Sequence, residues 1–131
     1  MNVAICDDSF FFVEITEAYL RQYEVDHGCI FTILSFESGE DLIAWLDVAR
    51  IPIDLVFLDY NMKELDGLET AKRIRMREGN DSRNCQIVFV TSIDPLQTFE
   101  AVSPLCVVPK PLNQITLNSI MDYMITLNPR A

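Results

Sequence analysis

The feature of this sequence that most constrains its fold is a series of short, nearly unbroken apolar runs. They cover residues 3–6, 55–58, 87–90 and 105–108. No charged side chain interrupts them, so a strand formed by any of them would be covered on both faces, as in a parallel sheet. A fifth run, residues 30–36, is interrupted by Thr32 and Ser35 and is predicted as a strand nearer the sheet edge.

Helical patterns separate and follow these runs. The first predicted helix has an apolar stripe at Phe12, Ile15, Tyr19 and Tyr23 and stops at Gly28. The second and third begin at the cap pairs Ser38–Asp41 and Asp66–Glu69, the fourth begins at Asp94–Pro95, and the fifth has an apolar stripe over residues 117–127. Spacings of three and four residues place side chains on one helix face, and Ser or Asp before such a stripe is typical of an N-cap. The alternation predicts one α/β domain over residues 1–131, a three-layer α/β/α sandwich around a five-stranded parallel sheet.

Composition excludes several classes of function. With 20 acidic and 10 basic residues the chain has a net charge of −10, which would repel a phosphate backbone, so no direct nucleic-acid contact is expected. The four cysteines are too scattered for a zinc site, and the apolar runs are too short to span a membrane. Carboxylates at positions 7 and 8 come too early for a signal peptide, and we expect a cytoplasmic protein.

Polar residues follow the predicted strands at the ends where a parallel sheet gathers its functional groups. Asp7 and Asp8 follow the first strand, Asp59 the third, Thr91 the fourth and Lys110 the fifth. Three carboxylates in one pocket repel one another unless a cation is bound, and oxygen ligands without His or Cys favour Mg²⁺. Beside a hydroxyl and an ammonium they suit phosphoryl transfer, with Asp59 as the nucleophile. The alternative is that the acidic residues are turn formers and helix caps.

In this order, these residues resemble the receiver domains of two-component response regulators. The segments that carry the resemblance are Ile5-Cys6-Asp7-Asp8, Val56-Phe57-Leu58-Asp59-Tyr60-Asn61-Met62 with Asp66-Gly67-Leu68, Val90-Thr91-Ser92, and Lys110-Pro111. The resemblance extends over essentially the whole chain and implies the strand order 2-1-3-4-5. The Cys-Asp-Asp opening and the Val-Thr-Ser stretch are most similar to receivers attached to LytTR-type DNA-binding domains in bacterial transcription regulators.

The resemblance also implies how the acidic residues act. Asp59 would be the phosphoacceptor, charged from a phosphohistidine on a sensor histidine kinase. Mg²⁺ would be bound by Asp8, Asp59 and the backbone carbonyl of Asn61, and by Asp7 through water.

The resemblance implies a switch in which Thr91 reorients toward the phosphoryl group. Lys110 would pair with that group, and the bond between Lys110 and Pro111 is usually cis in the family. Three residues depart from the family pattern, the first being Lys63, which stands where the family commonly has proline after the methionine. Val107 stands where many receivers carry a Tyr or Phe that couples to the threonine, and Pro109 removes a backbone donor at the end of the last strand. We therefore expect the phosphorylation chemistry to be retained and its readout to differ.

The leading interpretation is a phosphorylation-dependent switch and not a turnover enzyme. No output domain is expected within residues 1–131, so the chain is either a free-standing receiver acting by protein contact or a piece of a longer regulator. The family's usual output is dimerisation through the fourth and fifth helices and the last strand, and an acidic surface suits control by contact. Of Phe10, Phe11 and Phe12, at least one ring is expected in the core and another at a partner contact.

Other functional classes share this architecture. Haloacid-dehalogenase-type phosphatases also use an Asp nucleophile and Mg²⁺, but they need a second Asp two residues later, where this chain has Asn61. A flavodoxin-like carrier needs a phosphate-binding loop after the first strand, where the carboxylates of Asp7 and Asp8 would repel FMN. A degenerate receiver that only binds partners is disfavoured by the complete acidic set.

Overall fold

The computed structural model describes residues 1–49, 51–78, 85–92 and 100–127. The strands are β1 (Asn2–Cys6), β2 (Thr32–Phe36), β3 (Leu55–Asp59), β4 (Gln86–Thr91) and β5 (Cys106–Pro109). The helices are α1 (Phe10–His27), α2 (Gly39–Val48), α3 (Gly67–Glu78) and α4 (Gln114–Leu127), with a 3₁₀ helix at Glu100–Val102. None of these described helices is long and apolar enough to cross a membrane.

All five strands are parallel and form one sheet in the order β2-β1-β3-β4-β5. The predicted strand order is confirmed. The direction of winding reverses between β1 and β3, so the crevice for a ligand is expected at the carboxyl ends of these two strands. Asp7 follows the end of β1 and Asp59 ends β3.

Helices cover both faces of the sheet, which confirms the three-layer architecture. Side chains of α1 and α4 pack on one face, and those of α2, α3 and the 3₁₀ helix pack on the other. Because successive strand side chains point to opposite faces, Phe57 enters the first core and its neighbours Val56 and Leu58 enter the second. Every residue of β3 is buried, as expected for a central strand.

The predicted helix signals are visible as hydrogen bonds. Asp41 donates its backbone N–H to Ser38 Oγ at 3.0 Å, and Glu69 donates its backbone N–H to Asp66 Oδ1 at 2.8 Å. Gly28 ends α1 in the left-handed conformation, with φ of 65°, which a glycine adopts without a Cβ penalty. These three predictions are confirmed.

Element boundaries differ from the predictions by a few residues. β2 begins at Thr32, and Ile30 is 83% exposed, because it precedes the residues that pair with β1. β5 extends through Pro109, which pairs with Thr91; β5 lies at the sheet edge, where a proline is tolerated. The helix predicted from Asp94–Pro95 lies outside the described residues.

Candidate functional site

Three carboxylates meet at the carboxyl ends of β1 and β3. One oxygen from each of Asp7, Asp8 and Asp59 lies within 4.8 Å of the others. Asp7 and Asp59 are buried, with 6% and 3% of their surface exposed, whereas Asp8 is exposed. The cluster therefore has two buried charges and one side open to solvent.

Lys110 brings a positive charge into this cluster. Its Nζ lies 3.0 Å from Asp7 Oδ2 and 3.2 Å from Asp59 Oδ1, and its side chain is only 11% exposed. The backbone N–H of Lys110 donates to the carbonyl of Thr91 at 2.7 Å. This hydrogen bond holds the backbone of Lys110 next to the end of β4. The Lys110–Pro111 bond is cis, as the family resemblance implies.

Asp7 has a bonding partner on each carboxylate oxygen. Its Oδ1 accepts the backbone N–H of Ser9 at 2.8 Å, and its Oδ2 faces Lys110. Its own backbone N–H donates to the carbonyl of Phe36 at 3.1 Å. Ser9 precedes α1, but its side chain makes no capping hydrogen bond. The turn between β1 and α1 thus holds Asp7 so that it faces the lysine.

Close backbone packing holds the loop after β3. The N–H of Asn61 donates to Asp59 Oδ1 at 3.3 Å, and the N–H of Gly67 donates to the carbonyl of Tyr60 at 2.9 Å. A Cβ on Gly67 would stand 2.5 Å from the Asp59 carbonyl oxygen and 2.7 Å from Tyr60 Cα. Only glycine lets the start of α3 lie against the end of β3 in this way.

Burial and charge repulsion disturb the ionisation of the site. Burial, and then the charge of Asp7, raise the pKa of Asp59 to about 6, while Lys110 and the Asn61 N–H oppose the rise. Burial, and then Asp7 and Asp59, raise the pKa of the Cys6 thiol to about 12. The cluster therefore carries more negative charge than Lys110 alone balances, and a bound cation would relieve the repulsion.

The donor set fits a hard divalent cation. The cluster offers only carboxylate oxygens, and oxygen ligands are those that Mg²⁺ prefers. Three ionised carboxylates and one ammonium leave two negative charges uncompensated, which a divalent ion would neutralise. The exposed position of Asp8 leaves room for the water ligands that Mg²⁺ retains.

Thr91 and Val107 are on the last two strands of the sheet. Thr91 ends β4 and is 2% exposed. Val107 pairs with Phe89 in the sheet and packs half-buried against the core beneath α2 and α3. A small aliphatic side chain therefore occupies the position where an aromatic switch residue is expected in many receivers.

One contact of Lys110 is absent from the sequence predictions. Its Nζ lies 4.1 Å from the centroid of the Phe12 ring. Phe12 is only half-buried, and Phe10 and Phe11 are 76% and 65% exposed, so the expectation that one of these rings lies in the core is wrong. The available signal was the run of three phenylalanines that follows the acidic pair and Ser9 and starts α1.

The family model of the response regulator receiver domain matches residues 3–121. The chain belongs to this family. It is 29% identical over 128 residues to the putative two-component response regulator ARR13 of Arabidopsis thaliana, covering 96% of this chain and 21% of that protein. It is 29% identical over 93 residues to the cyclic di-GMP phosphodiesterase response regulator RpfG of Xanthomonas campestris, covering 71% and 22%. This receiver domain thus spans about a fifth of the length of these relatives.

Solved structures show the same fold. The response regulatory domain of protein mrkE from Klebsiella pneumoniae superposes on the receiver domain with a TM-score of 0.81, 21% identity and full coverage of both chains. The chemotaxis protein CheY4 of Vibrio cholerae superposes with a TM-score of 0.76 and 22% identity, over 94% of this chain and 97% of that one.

Proposed function

We propose that this receiver domain accepts a phosphoryl group on Asp59 from a phosphohistidine of a sensor histidine kinase, in the presence of Mg²⁺. The observation that carries the proposal is the arrangement at Asp59. A buried carboxylate lies 3.2 Å from the ammonium of Lys110 and within 4.8 Å of the oxygens of Asp7 and Asp8. This combination supplies a nucleophile, a cation for the transferred group and a set of metal ligands.

Phosphoryl transfer to Asp59 replaces one bond to phosphorus with another. An oxygen of the ionised Asp59 attacks phosphorus, an O–P bond forms and the N–P bond of the phosphohistidine breaks, and the leaving imidazole takes up a proton from solvent. Lys110 then pairs with the phosphoryl oxygens, and Thr91 donates its hydroxyl to one of them. The divalent ion supplies charge neutralisation at the transferred group.

The proposed ligands of Mg²⁺ are Asp8, Asp59 and the backbone carbonyl of Asn61, with Asp7 acting through water. The ion pair between Asp7 and Lys110 supports this division of roles, because it leaves Asp8 as the exposed carboxylate free to face the ion. A cytoplasmic location fits the four cysteines, all of which are free thiols.

We propose that the output is carried by a partner domain outside these residues, a DNA-binding domain of the LytTR type. The receiver would act on this domain by forming a homodimer when it is phosphorylated. The support for this output is the Cys6-Asp7-Asp8 and Val90-Thr91-Ser92 resemblance. The structure describes two elements of the predicted dimer surface. The last strand, β5, is an edge strand, and α4, which corresponds to the predicted fifth helix, exposes Ile115 and Tyr123 by 80% and 49%. The predicted helix at Asp94–Pro95, the third element, is outside the described residues.

Intact mass spectrometry after incubation with acetyl phosphate and Mg²⁺ tests the phosphoacceptor role. We expect one phosphoryl adduct that needs Mg²⁺ and that is absent in Asp59→Asn. An unchanged mass, or an adduct that survives Asp59→Asn, overturns the proposal. Continuous turnover of p-nitrophenyl phosphate would instead favour a haloacid-dehalogenase-like phosphatase, although Asn61 lacks the carboxyl group that its general acid requires.

A further inference from the structure

The contact between Phe12 and Lys110 extends the chemistry of the site to the first turn of α1. We infer that Phe12 is a positioning residue: its ring holds the Lys110 ammonium beside Asp59 and thereby sets the rate at which Asp59 accepts a phosphoryl group. The inference rests on the proposed function and deepens it. Phe12 touches neither the nucleophile nor the transferred group in this scheme, so its effect passes through the lysine.

The geometry is that of a cation–π interaction. Lys110 Nζ lies 4.1 Å from the ring centroid of Phe12, well inside the roughly 6 Å over which a ring face attracts an ammonium. The same nitrogen lies 3.0 Å from Asp7 and 3.2 Å from Asp59. The lysine side chain is 11% exposed, and the attraction is stronger for a cation that is partly removed from water.

The Phe12 ring has an aromatic packing partner of its own. Its neighbour Phe11 packs against it edge to face, with ring centroids 5.5 Å apart and an interplanar angle of 74°, an arrangement that aromatic pairs favour. The next residue, Val13, is buried in the core beneath α1, which anchors this first turn of the helix. The flexible four-carbon side chain of Lys110 thus ends against a ring that packs on its neighbour at the start of α1.

A neutral ring has a role that a further carboxylate could not fill. Asp7 competes with the incoming phosphoryl group for the charge of Lys110, because an ion pair must weaken before the ammonium turns to a new anion. The ring face of Phe12 attracts the ammonium without neutralising it, so the lysine stays confined near Asp59 while its full charge remains available to the phosphoryl oxygens.

Substitutions at position 12 test this effect. In full-length protein, we expect Phe12→Leu to lower the rate of labelling by acetyl phosphate about three- to tenfold, the range that loss of a partly buried cation–π contact allows. Phe12→Trp retains an aromatic face and should restore most of the rate. Phe10→Leu, at the first residue of α1 and 76% exposed, is the matched control and should label at the wild-type rate.

Fluorinated phenylalanines at position 12 separate the electrostatic role from a packing role. Successive fluorine atoms weaken the negative face of the ring while nearly preserving its shape, so the labelling rate should fall stepwise from phenylalanine to the pentafluoro analogue. A merely structural ring would give equal rates along the series. Equal rates for the wild-type and pentafluoro proteins would therefore overturn the inference, whatever the rate of Phe12→Leu.

The outcome also separates this inference from the proposed function. Failure of the wild-type protein to accept a phosphoryl group at Asp59 would overturn both. Normal labelling of the wild type with a rate indifferent to position 12 would overturn the inference alone. The ring-current displacement of the Lys110 Hε resonances, present in wild type and lost in Phe12→Leu, reports the contact in unphosphorylated protein; its absence from wild type would also overturn the inference.

Discussion

Gly67 lies so close to Asp59 that a Cβ on the glycine would stand 2.5 Å from the aspartate's carbonyl oxygen. The obstacle is backbone and cannot rotate away. The end of the strand that carries the candidate nucleophile and the first residue of α3 are therefore packed as one unit.

Gly67→Ala should disturb both stability and chemistry. We expect the free energy of unfolding to fall by about 2 kcal/mol or more, since overpacking against backbone forces the chain to shift, and the labelling of Asp59 by acetyl phosphate to slow markedly. Urea denaturation and intact mass measure the two effects. Gly28→Ala is the control: it meets no atom within 4 Å but requires φ of 65°, so it should cost about 1 kcal/mol through backbone strain and leave labelling unchanged.

Removing the Asp59 charge should stabilise the metal-free protein at neutral pH. Because the pKa of Asp59 is raised from 3.8 to about 6, the folded state holds a proton between these values that the unfolded state has released. The contribution of Asp59 to the free energy of unfolding of the wild type is therefore fully present below about pH 4. It is lost as the pH rises to about 6. We expect the free energy of unfolding of Asp59→Asn to exceed that of wild type at pH 7.5, by on the order of 1–3 kcal/mol, and to match it near pH 4.

Denaturant titrations in EDTA across this pH range measure the difference. Glu69→Gln, which removes an exposed carboxylate from α3, should show no comparable dependence on pH. A constant difference between Asp59→Asn and wild type from pH 4 to 7.5 would contradict the electrostatic explanation.

Mg²⁺ should raise the melting temperature of the protein, because an ion that binds only the folded state stabilises it by mass action. The increase should shrink as pH falls through about 6, since protons then compete for the Asp59 carboxylate. Asp8→Asn should lose most of the Mg²⁺ response while it keeps the ion pair between Asp7 and Lys110. Differential scanning fluorimetry with and without MgCl₂ measures this, and a full response in Asp8→Asn would remove Asp8 from the ligand set.

Far from the site, Tyr23 joins α1 to α4. Its hydroxyl donates to Asp122 Oδ1 at 2.7 Å, and the residue is 1% exposed. Burial, and then Asp122, hold the phenol pKa well above its ordinary value of 10.0, so this contribution to stability persists at neutral pH and is lost only under strongly alkaline conditions. Tyr23→Phe should lower the free energy of unfolding by about 1 kcal/mol; Tyr19→Phe on the same helix is the control.

Local signals determined much of the fold. Apolar runs located four strands because a strand covered on both faces needs apolar residues at every position, and cap residues located helix ends because they bond to backbone only a few residues away. The position of Asp7, Asp8, Asp59, Thr91 and Lys110 at strand ends was likewise readable, since parallel strands all end at the same side of the sheet.

Contacts between distant segments could not be read in this way. Arg75 belongs to a basic stretch of α3 that suggests a solvated surface, yet its guanidinium donates to the backbone carbonyls of Cys85, Val102 and Ser103. Gly39 is unremarkable in the sequence, but a Cβ there would collide with the Thr70 side chain where α2 crosses α3. Neither contact follows from periodicity, because each depends on how two elements approach in space.

The sequence by itself determined the architecture and the set of charged groups in this receiver domain, because both depend on residue type and on position along a strand or helix. Only the tertiary structure decided how these groups share their charge: which carboxylates are buried, that Lys110 lies between Asp7 and Asp59, and that Phe12 leaves the core to face the lysine. Burial and ångström-scale distance set electrostatic energies, and both arise only when strands and helices from opposite ends of the chain pack together.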